Sequence, residues 1–132
     1  MEITTTQEQG RVPVTVFHLK GELDAVMAEQ LRQQCRDAIT AGARYILLDL
    51  AEVPYIASAG LRAFQEIFTQ LRDGSDEKGD PAVYQGLRDG TYKSPNLKLL
   101  RPTRHALEAL STAGFDMFLE IHQNLRDAVA SF

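Results

Sequence analysis

Several features that define specialised protein classes are scarce or missing in this sequence of 132 residues. Its single cysteine rules out an intramolecular disulfide bond, and Cys35 falls in an apolar helical stripe, where we expect a packed thiol. No apolar run approaches the roughly 18 residues of a membrane-spanning helix. The first residues lack the basic start and apolar run of a signal peptide, so we expect a cytoplasmic protein without membrane insertion.

Positive charge is also in short supply. The chain has 14 lysine and arginine residues against 18 aspartate and glutamate residues, which gives a formal net charge of -4 at pH 7. The basic residues are scattered along the chain, whereas proteins that bind nucleic acids concentrate them on one face. We therefore expect no nucleic-acid partner.

Recognisable catalytic and cofactor motifs are missing as well. The sequence has no glycine-rich phosphate-binding loop and no Gly-x-Ser-x-Gly nucleophile motif. His18, His105 and His122 lie far apart without the spacing of metal ligands, so we expect them to face solvent or to form ordinary hydrogen bonds. Glu22 and Asp24 form a close carboxylate pair just before a predicted helix. Acidic residues stabilise a helix N-terminus, so this pair needs no catalytic role. These absences predict no enzymatic activity, no cofactor and no metal site.

What the sequence does contain is an alternation of strand and helix patterns. The strand patterns cover residues 2–7, 12–20, 45–50, 96–100 and 115–121. The helix patterns begin at Asp24, Ser58, Pro102 and Asn124. Strands that alternate with helices form βαβ units, while residues 2–7 and 12–20 read as a hairpin. We predict an α/β fold, with a mixed β-sheet of about four to six strands packed with about four α-helices.

Residue types at the predicted helix ends indicate how each helix begins. Asp24 and Ser58 carry side chains that commonly cap helix N-termini, and Pro102 suits the first position of a helix. In the helix that begins at Pro102, the spacing of apolar residues places Leu107 and Leu110 inward.

Residues 73–95 stand apart from this alternation. They are rich in Gly, Pro, Asp and Ser, show no sustained period, and are long for a connection inside a compact domain. Their acidic start does not fit an EF-hand calcium loop, because counting from Asp73 places Lys78 where that loop needs glycine. We predict a flexible insertion at about 73–95 within a single domain that spans residues 1–132.

Three stretches together resemble a known family. Residues 19–24 read LKGELD, residues 48–61 read LDLAEVPYIASAGL, and residues 106–115 end in TAGF. In this order they resemble the STAS family, the anti-sigma-factor antagonists of bacterial partner-switching systems. The resemblance implies a mixed sheet with helices packed against it and no catalytic activity.

The resemblance also implies a switch and the residues that carry it. In that family, an anti-sigma factor serine kinase phosphorylates a serine at the start of the second helix, and a metal-dependent serine phosphatase removes the phosphate. The unphosphorylated protein binds the anti-sigma factor and frees the sigma factor. The matching serine is Ser58, and the match to the family's aspartate after the first strand is Asp24. The partner contacts expected from this match lie at Asp24, Ala57, Ser58, Ala59, Gly60 and Arg62.

Ser58 also suits a switch on physical grounds. A phosphate carries close to two negative charges, which the unpaired N–H groups of a helix start accept, and Arg62 lies one turn later on the same face. Ala57, Ala59 and Gly60 are small, which either leaves the hydroxyl uncovered or lets the helix start pack tightly against the sheet. The sequence leaves both interpretations open.

Two departures from the family pattern support other hypotheses. Many members have an aspartate where this chain has Ala57, and the insertion at 73–95 replaces a short turn. A constitutive STAS scaffold, or a regulatory subunit of a larger complex, would use the same surface without a phosphate. An enzyme or small-ligand sensor, with the long loop closing a site, is the third hypothesis.

Overall fold

A mixed sheet of five strands, in the order β1-β2-β3-β4-β5, organises the chain that the computed structural model describes, which is residues 2–73, 85, 86, 88 and 92–132. The strands are β1 (Glu2–Gln9), β2 (Pro13–Lys20), β3 (Ile46–Glu52), β4 (Leu97–Leu100) and β5 (Ile121–His122). The helices named here are α1 (Ala25–Thr40), α2 (Ser58–Asp73), α3 (Arg104–Thr112) and α4 (Leu125–Ser131). β1 pairs antiparallel with β2, and the remaining pairs are parallel. The predicted fold class is confirmed.

The central strand β3 supplies the middle of the core. Its residues Ile46–Leu50 are all buried, as the nearly continuous apolar run of this segment predicted. Because side chains alternate along a strand, Leu48 and Leu50 join the larger of two apolar clusters, and Leu47 joins the smaller one. The sheet is therefore covered on both faces at this strand.

The larger cluster lies between the sheet and three helices. Apolar residues of α1, α2 and α3 pack there against alternate residues of β2, β3 and β4. On the opposite face, α4 covers a smaller patch of Val14, Val16, Leu47 and Leu100 with Ala128 and Val129. That second face continues past the patch with His18 and Asp49, the next residues in the alternation along β2 and β3.

Two local predictions for the first helix are confirmed. The Asp24 carboxylate caps α1, since its Oδ1 accepts a hydrogen bond of 2.9 Å from the Met27 backbone N–H. Cys35 is fully buried in the core, and burial raises the pKa of its thiol to about 12. The packed thiol is therefore held in its neutral form.

The predicted final strand over residues 115–121 is wrong over most of its length. Phe115–Met117 form a 3-10 turn, and only Ile121–His122 pair with β4. Phe115, Phe118 and Leu119 reach the core at the spacing of a helical turn, whereas a strand would bury alternate residues. Ile121, which pairs with β4, also packs against the core. The segment is apolar, as predicted, but its buried residues repeat at helical spacing and do not alternate as in a strand.

The start and the inward face of α3 also differ from the prediction. Thr103, and not Pro102, sets the helix start, because the Thr103 Oγ1 accepts a hydrogen bond of 3.3 Å from the Ala106 N–H. The inward positions are Ala106 and Leu110, while Leu107 is 37% exposed. Ala106 was overlooked because a small side chain contributes little to an apolar pattern.

Most of the predicted insertion at 73–95, including Lys78 and the calcium-loop argument, lies outside the described residues. Its final part leads into β4. The Ser94 Oγ accepts hydrogen bonds from the backbone N–H groups of Asn96 at 3.3 Å and Leu97 at 3.1 Å. The Ser94 N–H donates to the Phe118 carbonyl at 2.8 Å, so this end of the connection is fixed to the core.

The two leucines of α3 provide a direct test of its inward face. We expect Leu110→Ala to lower the free energy of unfolding by about 2–5 kcal/mol, because it opens a cavity in the core. The matched change Leu107→Ala should lower it by less than about 1 kcal/mol, because the side chain is partly in water. Urea unfolding followed by circular dichroism measures both. Equal losses would contradict the assigned face.

Candidate functional site

The candidate site lies at one edge of the sheet, where the three parallel strands β2, β3 and β4 end. A loop leads from each strand into α1, α2 and α3 in turn. Because the strands are parallel, their carboxyl ends and the three helix N-termini share this edge. We call it the carboxyl edge.

A short backbone bridge joins two of these loops. Leu23 and Ile56 form an isolated parallel β-bridge beyond the ends of the named strands. The Leu23 N–H donates to the Tyr55 carbonyl at 2.9 Å, and the Ala57 N–H donates to the Leu23 carbonyl at 3.0 Å. Asp24 and Ser58 each lie one or two residues beyond this bridge, so it holds the two predicted site residues at the same edge.

The bridge determines where α2 begins. The Ala57 carbonyl accepts the first helical hydrogen bonds, from Gly60 N–H at 2.9 Å and Leu61 N–H at 3.2 Å. Ala57 therefore occupies the N-cap position and Ser58 is the first residue of the helix, so the assignment of Ser58 as the N-cap is wrong. The side-chain pattern was misleading because the pairing of Ala57 with Leu23 fixes the helix start, whatever side chain could cap it.

The Ser58 side chain is open to solvent. The residue is exposed, and its hydroxyl makes no hydrogen bond to another residue within the described ranges. Gly60, two residues on, is buried, and a Cβ there would lie 2.8 Å from Leu23 Cγ and 2.9 Å from Ile56 Cγ2. Ala57 and Ala59 are half-buried. The two interpretations of the small residues therefore both apply: Gly60 permits tight packing, and Ser58 remains uncovered.

Two exposed apolar side chains lie at the same edge as Ser58, and the sequence analysis missed them. Val26, in the first turn of α1, is 59% exposed, and Tyr55, in the loop before α2, is 55% exposed. Tyr55 and Leu61 also line a shallow groove against α3, together with His105, Ala109 and Thr112. The available signal was weak, because Val26 lies outside the apolar stripe of its helix and Tyr55 lies in a loop.

Arg62 and Asp24 are the charged residues of this edge that the sequence analysis assigned to the site. Arg62 is exposed one turn after Ser58 and forms no ion pair with any residue that the structure describes. Asp24 is exposed while its carboxylate caps α1. A negative group added at Ser58 would therefore meet a helix N-terminus and an uncommitted guanidinium.

The three histidines lie in separate parts of the structure, and His105 lines the groove beside Tyr55 and Leu61. His18 Nδ1 lies 2.8 Å from Asp49 Oδ2, and His122 Nε2 lies 3.1 Å from Glu120 Oε1. Across the described part of the chain, no group of three or more His, Cys, Asp or Glu side chains is arranged to hold a metal ion. The same residues include no helix with both the length and the apolar character needed to cross a membrane.

Comparison with known sequences adds to this geometry. The model of the STAS domain family matches residues 4–75. BtrV of Bordetella bronchiseptica, named as a candidate anti-sigma factor antagonist, is 37% identical over 59 residues. That match covers 45% of this chain and 51% of BtrV, so the chain spans about half the length of this relative.

Solved structures of anti-sigma factor antagonists share the fold. One from Mycobacterium paratuberculosis aligns with a TM-score of 0.70 at 21% identity, covering 98% of this chain and 93% of that one. SpoIIAA in its unphosphorylated form aligns with a TM-score of 0.68 at 18% identity, covering 96% and 93%. The phosphorylated form of the Bacillus protein SpoIIAA aligns with a TM-score of 0.61 at 20% identity, covering 96% of each chain. At these identities the likeness concerns the fold alone.

Gly60 tests how tightly the start of α2 is packed. We expect Gly60→Ala to lower the free energy of unfolding by about 1–3 kcal/mol, because the added methyl group overlaps Leu23 and Ile56. This loss outweighs the gain of at most about 1 kcal/mol that alanine gives a helix. Ser58→Ala, in the same turn, should change stability by less than about 0.5 kcal/mol, because the hydroxyl has no hydrogen-bond partner among the described residues. Urea unfolding compares the two, and a more stable Gly60→Ala protein would contradict the packing.

Proposed function

Given that this chain belongs to the STAS domain family, we propose that it is an anti-sigma factor antagonist regulated at Ser58. In its unphosphorylated form it binds an anti-sigma factor serine kinase, which frees the sigma factor. Phosphorylation of Ser58 ends the binding, and a serine phosphatase restores it. The protein acts by binding alone, in the bacterial cytoplasm, without a cofactor and without catalysing a reaction.

The observation that carries this proposal is the exposed and unbonded Ser58 hydroxyl at the carboxyl edge. A kinase needs a hydroxyl that it can reach, and no side chain or cap hydrogen bond from the described part of the chain occupies the Ser58 hydroxyl. Val26 and Tyr55 add exposed apolar area at the same edge. Large apolar side chains at the centre of an interface commonly contribute most of its affinity. We therefore assign them to the same partner surface.

The effect of a phosphate follows from charge. On this chain, the group would face the N–H groups at the start of α2 and the guanidinium of Arg62, so the fold tolerates it. In a complex, the same charge would be buried against the partner without a matched cation, at a cost of several kcal/mol. Because about 1.4 kcal/mol changes affinity tenfold, modest repulsion suffices to end binding.

Ala57 supports a second candidate function, a constitutive STAS scaffold or regulatory subunit that works without phosphate. Its backbone N–H is committed to Leu23, and its methyl group offers no charge beside the acceptor hydroxyl. Many family members have an aspartate at this position. A kinase that requires that carboxylate would not modify this chain, and the same edge would then bind its partner permanently.

The binding prediction concerns Ser58→Asp. We expect it to weaken binding to the partner by at least about tenfold while the melting temperature stays unchanged, because an acidic residue suits a helix N-terminus. Ser58→Ala should bind like the wild type. Gln33→Glu adds the same charge at an exposed position in the middle of α1 and should also leave affinity unchanged. Pull-down from native cell extract identifies the partner, and isothermal titration calorimetry measures the affinities.

The result that would contradict this surface is an equal affinity for wild type and Ser58→Asp with an identified partner. If Gln33→Glu weakened binding as much as Ser58→Asp, the affinity would depend on the net charge of the chain. The carboxyl edge would then have no specific role in binding.

The modification prediction separates the two candidate functions. With the cognate anti-sigma factor serine kinase and labelled ATP, we expect the wild type to accept one phosphate and Ser58→Ala to accept none. Ala57→Asp, which restores the residue of many family members, should be labelled at least as fast as the wild type. Phosphopeptide mapping locates the group. A wild type that binds the kinase and stays unlabelled would favour the scaffold.

A further inference from the structure

A second group of reactive side chains lies on the other face of the sheet, away from Ser58. His18 of β2 and Asp49 of β3 are direct neighbours in the parallel register, and His18 Nδ1 lies 2.8 Å from Asp49 Oδ2. On the other side of the ring, His18 Nε2 lies 3.0 Å from the Thr6 Oγ1 of β1. The register of three strands therefore aligns a hydroxyl, an imidazole and a carboxylate in a chain.

The carboxylate fixes the proton on the imidazole. Asp49 is 9% exposed and, as an ionised group, can only accept hydrogen bonds, so His18 Nδ1 carries the proton. Neutral His18 then has its lone pair on Nε2, directed at Thr6. In this arrangement the Thr6 hydroxyl donates to a base, which is the relation between nucleophile and base in hydroxyl-based covalent chemistry.

Further contacts hold Asp49 in position. Its Oδ1 accepts a hydrogen bond of 3.1 Å from the Ala51 backbone N–H, and its Oδ2 also accepts one of 3.1 Å from Arg101 Nη2. Arg101 has a φ of 49°, in the left-handed region that non-glycine residues rarely adopt. Arg101, which directly follows β4, places a cation beside Asp49. The Asp49 carboxylate therefore has three partners, namely His18, the Ala51 N–H and Arg101.

Thr6 is exposed, and two neighbouring threonines of the same strand serve as internal controls for its reactivity. Thr4, Thr5 and Thr6 are consecutive exposed threonines of β1, so they share a residue type and a strand. Thr4 lies directly opposite His18 in the antiparallel register, yet of these three threonines it is Thr6 that bonds to the imidazole. Any selective reactivity of Thr6 is therefore assignable to His18 and not to exposure.

We propose that Thr6 is a covalent modification site, a nucleophilic hydroxyl that accepts an acyl group from an activated ester. The Thr6 Oγ bonds to the acyl carbon while its proton passes to His18 Nε2. The bond from the acyl carbon to the leaving alkoxide or phenolate breaks, and the proton then leaves His18 for water. The product is an ester of Thr6, formed once per chain.

The experiment uses p-nitrophenyl acetate on the whole chain, followed by peptide mapping by mass spectrometry. General base catalysis contributes about 10²–10⁴-fold in rate, so we expect Thr6 to be acetylated at least about tenfold faster than Thr4 or Thr5. This comparison needs only the wild type. Thr4→Ala should leave the rate at Thr6 unchanged, and His18→Gln should reduce it to the rate at Thr5.

The role of Asp49 is that of a positioning residue, and its test is the conservative change. Asp49→Asn should slow acetylation of Thr6, because the amide no longer fixes the proton on Nδ1, while Thr6→Ser should retain the selective label. Circular dichroism establishes that each variant is folded. Equal acetylation of the three threonines in the wild type would overturn the proposal, as would an unchanged rate at Thr6 in folded His18→Gln.

Discussion

The backbone bridge between Leu23 and Ile56 is the constraint on which the rest of the carboxyl edge depends. It carries the sheet past the ends of β2 and β3 by one more pair, through hydrogen bonds of 2.9 Å and 3.0 Å. Because the Ala57 N–H donates to the Leu23 carbonyl, α2 begins at Ser58. Because Gly60 has no side chain, the first turn of α2 can rest on the two bridge residues.

This arrangement explains how Ser58 can have a fixed backbone position and still expose its hydroxyl to a partner or kinase. Its backbone is fixed by packing beneath it, and its side chain takes no part in that packing. A charge added to such a side chain alters the surface that a partner meets and leaves the internal contacts as they were. The proposed switch is therefore electrostatic. Thr6 and His18 lie on the other face of the sheet from α2.

The sequence predicted what depends on local patterns. The apolar run of β3, the cap at Asp24 and the buried Cys35 each follow from residue types within a few positions, and each is confirmed. The errors arose where contacts with distant segments determine the local structure. At the start of α2, the hydrogen bond from Ala57 to Leu23 places the N-cap at Ala57, although Ser58 has the better capping side chain. After Gly114, the chain forms a helical turn where a strand was predicted.

The site could be predicted only in part for the same reason. Ser58 and Asp24 were found through their neighbours in sequence, and the structure brings them to one edge. Val26 and Tyr55 carry only a weak signal, because the exposure of an apolar residue depends on which distant segments cover it. The link from Thr6 to His18 and Asp49 depends on the register of three strands, which no short motif encodes.

The central claim is that a phosphate on Ser58 changes the charge of the carboxyl edge and leaves its fold intact. Amide hydrogen exchange, measured by NMR on the free chain with and without phosphate at Ser58, tests this most directly. The account predicts that the amides of Leu23 and Ala57, which make the bridge hydrogen bonds, keep the same protection in both forms. A large loss of protection at these two amides in the phosphorylated chain would contradict it, because the switch would then act by opening the edge.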